Sequence, residues 1–144
     1  MKSAQTPTVR HWLVKSEPET YSWADFARDR STAWTGVRNY AARLHLNAMQ
    51  VGDQVLFYES VSTKAVLGLA RVARTAFPDT TADAPGWVAV QLETVRPLAH
   101  PVTLDRIKAE RSLAKMTLLH NSRLSVQPVT AAEFATVVKA GDGN

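Results

Sequence analysis

A chain of 144 residues with 45% apolar side chains can close one core and is short for two. It has no cysteine, which excludes a disulfide framework, a thiol nucleophile and a cysteine-ligated metal, and suits the reducing cytoplasm. No apolar run approaches the ~18 residues of a membrane helix and the opening MKSAQTPTVR is polar, so a soluble, unexported protein is expected, while a net charge of +4 and a pI near 9.7 favour an anionic partner.

In chain order, HWLVK (residues 11–15) has the composition of a short buried strand, ended by Pro18. Ser22 with Asp25 makes a capping box for a helix through Arg28, with Trp23 and Phe26 on its inner face. Residues 37–49 read as a longer helix on Tyr40, Leu44 and Ala48, flanked by Ala41 and Met49, and VGD (51–53) turns the chain. VLFYES (55–60) and VLGLARVAR (66–74) form a hairpin around the STK loop, and PDTTADAPG (78–86) is turn-forming throughout. In the next strand Val88, Val90 and Leu92 alternate with Ala89, Gln91 and Glu93. Thr103 caps a further helix with Val102 and Ile107 as a hydrophobic staple, and Thr130 with Glu133 boxes the last one, stapled by Val129 and Phe134. Between them SRLSVQP (122–128) directs Leu124 and Val126 one way and Arg123, Ser125 and Gln127 the other, leaving one face for hydrogen bonding.

Five or six strands interrupted by short helices, without a βαβ period, predict one α+β domain over residues 9–139, its mixed sheet curling into a small barrel. Residues 1–8 and 140–144 are expected to be flexible ends. The charge is unevenly spread. Residues 96–123 hold six basic side chains (Arg96, Arg106, Lys108, Arg111, Lys115 and Arg123) against Asp105 and Glu110, so this segment alone carries a formal +4. It is either a solvated helix face or a surface for phosphates.

Enzyme signatures are absent: no GxSxG elbow, HExxH, Walker loop or GxGxxG occurs, and His11, His45, His100 and His120 lack ligand spacing. No cofactor or metal is expected. Lys15, Ser16 and Glu17 alternate faces on a strand, which argues against a catalytic triplet. TAWTGVRNYAAR (32–43) carries more chemistry. Arg38 falls in the first turn of the predicted helix, where the dipole disfavours a cation, so an anion or acceptor is expected beside it. Gly36 would leave backbone N–H groups open to a ligand, next to Trp34. Such a group can stack a planar ring and read its polar edge. The alternative makes Trp34 and Tyr40 core aromatics and pairs Arg38 with Glu17 or Glu19. Asn39 fits a base reader and a helix cap equally.

HWLVKSEP, WTGVRNYAAR, VGDQVLFYES, VLGLARV and RLSVQPVT, in this order, closely resemble the EVE domain, a PUA-like family, over residues 11–138. The resemblance implies a PUA-like curved sheet related to the YTH readers of methylated RNA, and a pocket for one flipped base. It places Lys15, Ser16, Trp34, Val37, Arg38, Asn39, Tyr58, Ser60 and Ser125 in that pocket. Trp34 or Tyr58 would stack the base, Ser16 and Asn39 would hydrogen-bond its edge, and Lys15 and Arg38 would meet a phosphate or carbonyl oxygen. Arg43, Arg106, Lys108, Arg111, Lys115 and Arg123 would hold the flanking backbone. The chain departs from the family pattern at Thr35, often acidic in relatives, and in its short 78–86 loop. The function expected is a monomeric, non-enzymatic module for a modified base in DNA, methylated or hydroxymethylated cytosine first. The alternatives are a PUA-type binder of tRNA or ribosomal RNA, and a small nucleotide-processing enzyme using Lys15 and Glu17.

Overall fold

The computed structural model describes residues 9–143, so the predicted flexible N-terminus lies outside the described residues. Strand β1 (His11–Ser16) runs parallel to β3 (Gln54–Glu59), with Val14 opposite Phe57. The remaining pairings are antiparallel. β4 (Ala65–Pro78) joins β3 to β5 (Val88–Thr103), β2 (Ser31–Trp34) extends the sheet beyond β5, and β6 (Val126–Val129) lies outside β1. The order is β2-β5-β4-β3-β1-β6. The pairing along β4 shifts register at several bulges, and each extra residue bends its strand and increases the local twist. The mixed α+β class therefore holds but the predicted barrel does not close. The edge strands β2 and β6, four residues each, do not pair with one another.

Alternation explains why VLFYES reads as continuously apolar. Val55 and Phe57 join a core on one face of the sheet, with Trp12, Val14, Phe26, Trp34 and Leu46. Leu56 and Tyr58 join a second core on the other face, with Leu13, Val66, Ile107 and Phe134. Helices α1 (Trp23–Asp29) and α2 (Tyr40–Ala48) supply the first core. The second is covered by α3 (Leu104–Ala109), a 3-10 turn over Arg111–Leu113, α4 (Thr117–His120) and α5 (Ala131–Gly141). Gly68 has no side chain because the Trp23 indole occupies that space, set edge-on against Phe26 and Phe57.

The caps form as predicted. Ser22 Oγ accepts from Asp25 N at 3.0 Å while the Asp25 carboxylate accepts from Ser22 N at 3.1 Å. Thr130 and Glu133 repeat the arrangement, and Thr103 Oγ1 accepts from Arg106 N. Other expectations change. Helix α2 begins at Tyr40 and buries Ala42 and Leu46, leaving Tyr40 69% and Leu44 67% exposed. The segment contains two apolar stripes at helical spacing, and the one carrying the small Ala42 packs on the sheet. Gln127, expected on the hydrogen-bonding face of its strand, does hydrogen-bond, donating to Leu124 O at 2.8 Å, but it does so fully buried. Pro78 closes β4 instead of opening a loop, and α5 continues past the predicted boundary at 139, with Gly141 buried against Leu98.

Candidate functional site

The end of β1, the turn after it, β2 and the loop leading to α2 enclose a cavity of about 520 Å³, within the ~300–1,000 Å³ typical of small-molecule sites. Its inner wall is Trp34, 8% exposed, edge-on to Phe57 (centroids 5.8 Å, 89°) and tilted against Phe26. Tyr21 meets the same indole edge-on at 6.3 Å, and its phenol donates to Asp29 Oδ2 at 2.9 Å. Burial pushes the Tyr21 phenol pKa up, so it stays a neutral wall. Trp34 is thus both a core aromatic and a pocket surface: its neighbours hold the ring rigidly and leave a strip of it open.

One lip is β1. Lys15 Nζ donates to Ser122 O at 2.6 Å and lies 5.9 Å from the Tyr58 ring. Burial lowers the Lys15 pKa, yet an ammonium has three protons and this bond uses one. Ser16 Oγ donates to Tyr21 O at 2.6 Å, which leaves its lone pairs to accept a hydrogen bond. Ser125 completes this side, tied down through its carbonyl by Lys15 N.

The opposite lip hangs on a carboxylate. Asp79 Oδ2 accepts from Gly36 N and from Arg38 Nη1, each at 2.9 Å, and Oδ1 accepts from Thr81 N at 2.8 Å and Thr81 Oγ1 at 2.6 Å. Burial pushes this carboxyl's pKa up, but the hydrogen bonds from Thr81, Gly36 and Arg38 outweigh it and hold it well below the usual carboxylate range. Arg38 also donates to Val37 O at 3.0 Å and Thr81 Oγ1 at 3.1 Å. Its side chain stays 38% exposed at the pocket edge.

The structure brings Lys15, Ser16, Trp34, Val37, Arg38 and Ser125 to one cavity. Three implied members stand apart from it. Asn39 is the N-cap of α2, its side chain accepting from Ala42 N at 2.9 Å. Tyr58 is buried in the second core, and Ser60 bonds the Ser16 carbonyl behind the lip. Two inferences about Arg38 also change. It precedes the Asn39 cap and so lies outside the first turn, and its anion is Asp79 instead of Glu17 or Glu19. The Gly36 amide is taken by the same carboxylate and is not a free donor. Gly36 is needed for its left-handed backbone, φ +85°.

Sequence reasoning missed Tyr21, Thr20, Thr32 and Asp79. A search for the anion that Arg38 required could have reached Asp79, one of two acids in the 78–86 loop. Of the basic side chains, Arg96 is paired with Asp142 at 2.8 and 3.1 Å and drops out of the charged surface. Arg106, Lys108, Arg111, Lys115 and Arg123 are exposed outside the cavity, Arg123 next to the Ser122 carbonyl that holds Lys15. Arg43 lies over the rings of Tyr40 and Trp87. Among the described residues no three His, Asp or Glu side chains gather as a metal site, and no helix is long and apolar enough to cross a membrane.

The EVE domain family model matches residues 10–140. Human thymocyte nuclear protein 1 is 32% identical over 89% of this chain and 72% of that protein. The NMR structure of a Rhodopseudomonas palustris protein superposes with a TM-score of 0.87 at 47% identity, covering 92% of this chain and 93% of that one. The crystal structure of the human protein in complex with 5-methylcytosine-containing DNA superposes with a TM-score of 0.88 at 30% identity, covering 94% and 99%. A YTH domain from Zygosaccharomyces rouxii shares the fold, with a TM-score of 0.63 at 14% identity over 96% and 88%. With a family match across nearly the whole chain and solved relatives that superpose over almost their full length, this chain belongs to the EVE domain family.

Proposed function

We propose that the cavity receives one base turned out of a DNA strand, with methylated or hydroxymethylated cytosine as its preferred occupant, and that the chain binds without catalysing a reaction. The observation that carries this reading is the cavity itself: a fixed Trp34 and Tyr21 wall facing a polar rim of Lys15, Ser16 and Arg38. An apolar wall accommodates a ring and a methyl group, and the rim offers donors and acceptors to the base edge. The relative of similar fold bound to 5-methylcytosine-containing DNA supports the same occupant. Extruding a base costs roughly a few kcal/mol and one aromatic contact returns about 1–3, so phosphate contacts must supply the net affinity. Arg123 and the exposed cations of residues 106–115 are the candidates for that role, and binding is therefore salt-dependent.

The test is a titration of matched DNA and RNA oligonucleotides, with and without methylated, hydroxymethylated or formylated cytosine or methylated adenine, at two salt concentrations. Preference for a modified DNA strand supports the reading; equal affinity for modified and unmodified strands sinks it. A preference for RNA would favour the PUA-type alternative, and turnover of the oligonucleotide the enzyme. Trp34→Phe is the informative variant because Trp34→Ala would open a hole in the core at a cost of about 3–5 kcal/mol. The smaller ring retains the fold and reduces base selectivity.

A further inference from the structure

Tyr40 and Trp87 form an aromatic pair on the outside of the molecule, centroids 5.2 Å apart and tilted by 33°. The Arg43 guanidinium lies 4.9 Å from the Tyr40 ring and 4.7 Å from the Trp87 ring. Its Nη1 donates to Gly86 O at 3.0 Å, which fixes the loop end that presents Trp87. None of these three side chains lines the cavity, yet the cluster adjoins it. Arg38, on the cavity rim, lies 5.9 Å from the Trp87 ring, so one guanidinium separates the two places.

Tyr40 has no role in the core. It leaves 69% of its surface in water, beside an equally exposed Leu44 one helical turn on. An exposed aromatic platform backed by a cation matches the face and charge of a nucleotide, because every base has a π-face and every linkage a phosphate.

We propose that Tyr40, Trp87 and Arg43 form a second subsite that stacks the nucleotide adjoining the one held in the pocket. This inference rests on the reading of the cavity as a base site. Its physical purpose follows from the cost of extrusion. Turning one base out unstacks its neighbour, and a ledge one guanidinium away from the cavity recovers that stacking without depending on sequence. The cavity then selects the base, and the ledge adds affinity to any strand continuing past it.

The experiment compares two probes, the free nucleoside 5-methyl-2′-deoxycytidine and a short single-stranded oligonucleotide containing the same base, on wild type, Tyr40→Ala and Tyr40→Phe. Tyr40→Ala is expected to weaken the oligonucleotide about tenfold, to leave the nucleoside unchanged, and to be rescued by Tyr40→Phe, which keeps the ring. With 2-aminopurine placed next to the modified base, fluorescence stays quenched in the wild-type complex and rises with Tyr40→Ala. Wild-type oligonucleotide affinity in Tyr40→Ala, or an equal loss for both probes, overturns the ledge. If wild type prefers the modified strand while Tyr40→Ala changes nothing, only the ledge falls. If wild type shows no preference for the modified base, the pocket reading falls and the ledge with it.

Discussion

Two buried carboxylates, Asp53 before β3 and Asp79 after β4, each hold a turn and do different work. Asp53 collects only neutral donors: Arg10 N at 3.1 Å, Gln50 N at 2.9 Å and the Trp12 indole Nε1 at 2.9 Å. It ties the start of β1 to the turn before β3 and lies away from the cavity. Asp79 collects Gly36 N, both Thr81 donors and a cation, Arg38, that stands on the cavity rim. The first is a structural clasp; the second shapes a lip whose charge a ligand can feel. Burial of a carboxylate therefore does not identify its role, whereas the exposure and position of its donors do.

Breaking the clasp should have the largest effect. Asp53→Ala leaves the buried Trp12 N–H and two backbone amides without an acceptor, and should cost about 3 kcal/mol in denaturant unfolding while the folded protein binds oligonucleotide normally. Asp79→Ala should cost less, about 2 kcal/mol, because the half-open Arg38 regains water. Its signature is in binding. The freed guanidinium should steepen the salt dependence of oligonucleotide affinity by about one phosphate contact while preference for the modified base declines, readable from titrations at several salt concentrations.

Acid sharpens the same contrast. The Asp79 carboxyl is held below its unfolded value, so its contribution is complete above an unfolded pKa of about 3.9 and is lost as pH falls through the lower folded value. Unfolding free energies measured from pH 5 downward should fall less steeply in Asp79→Asn than in wild type. The smallest effect belongs to Thr81→Ala, which removes one hydroxyl from the Asp79 cluster, for about 1 kcal/mol, and leaves the Arg38 to Asp79 pair in place. If Thr81→Ala instead matches Asp79→Ala in salt dependence, the lip is held by the hydroxyl and not by the ion pair.

The capping residues were legible because their chemistry is local: Ser22 with Asp25, and Thr130 with Glu133, close rings only three residues apart. In sequence Asn39 fits cap and base reader equally, and the same kind of short-range bond, from Ala42 N, decides for the cap. The buried face of α2 was not legible, since Tyr40 with Leu44 and Ala42 with Leu46 are both helical stripes and local periodicity does not choose between them. Strand β2 escaped as well. Its four residues are short for a pattern and are held by register with Val90–Glu93 far along the chain.

By itself the sequence determined the mixed α+β class, the helix starts capped by Ser22, Thr103 and Thr130 and, through its motifs, the family resemblance, because these depend on periodicity and on contacts within a turn. Only the tertiary structure decided that the sheet stays open, that Trp34 serves core and cavity together, and that Asp79 answers Arg38 across 41 residues of chain. Those outcomes depend on how far the bulged β4 bends the sheet and where it delivers the loop beyond Pro78, a sum of many small backbone rotations that no local pattern encodes.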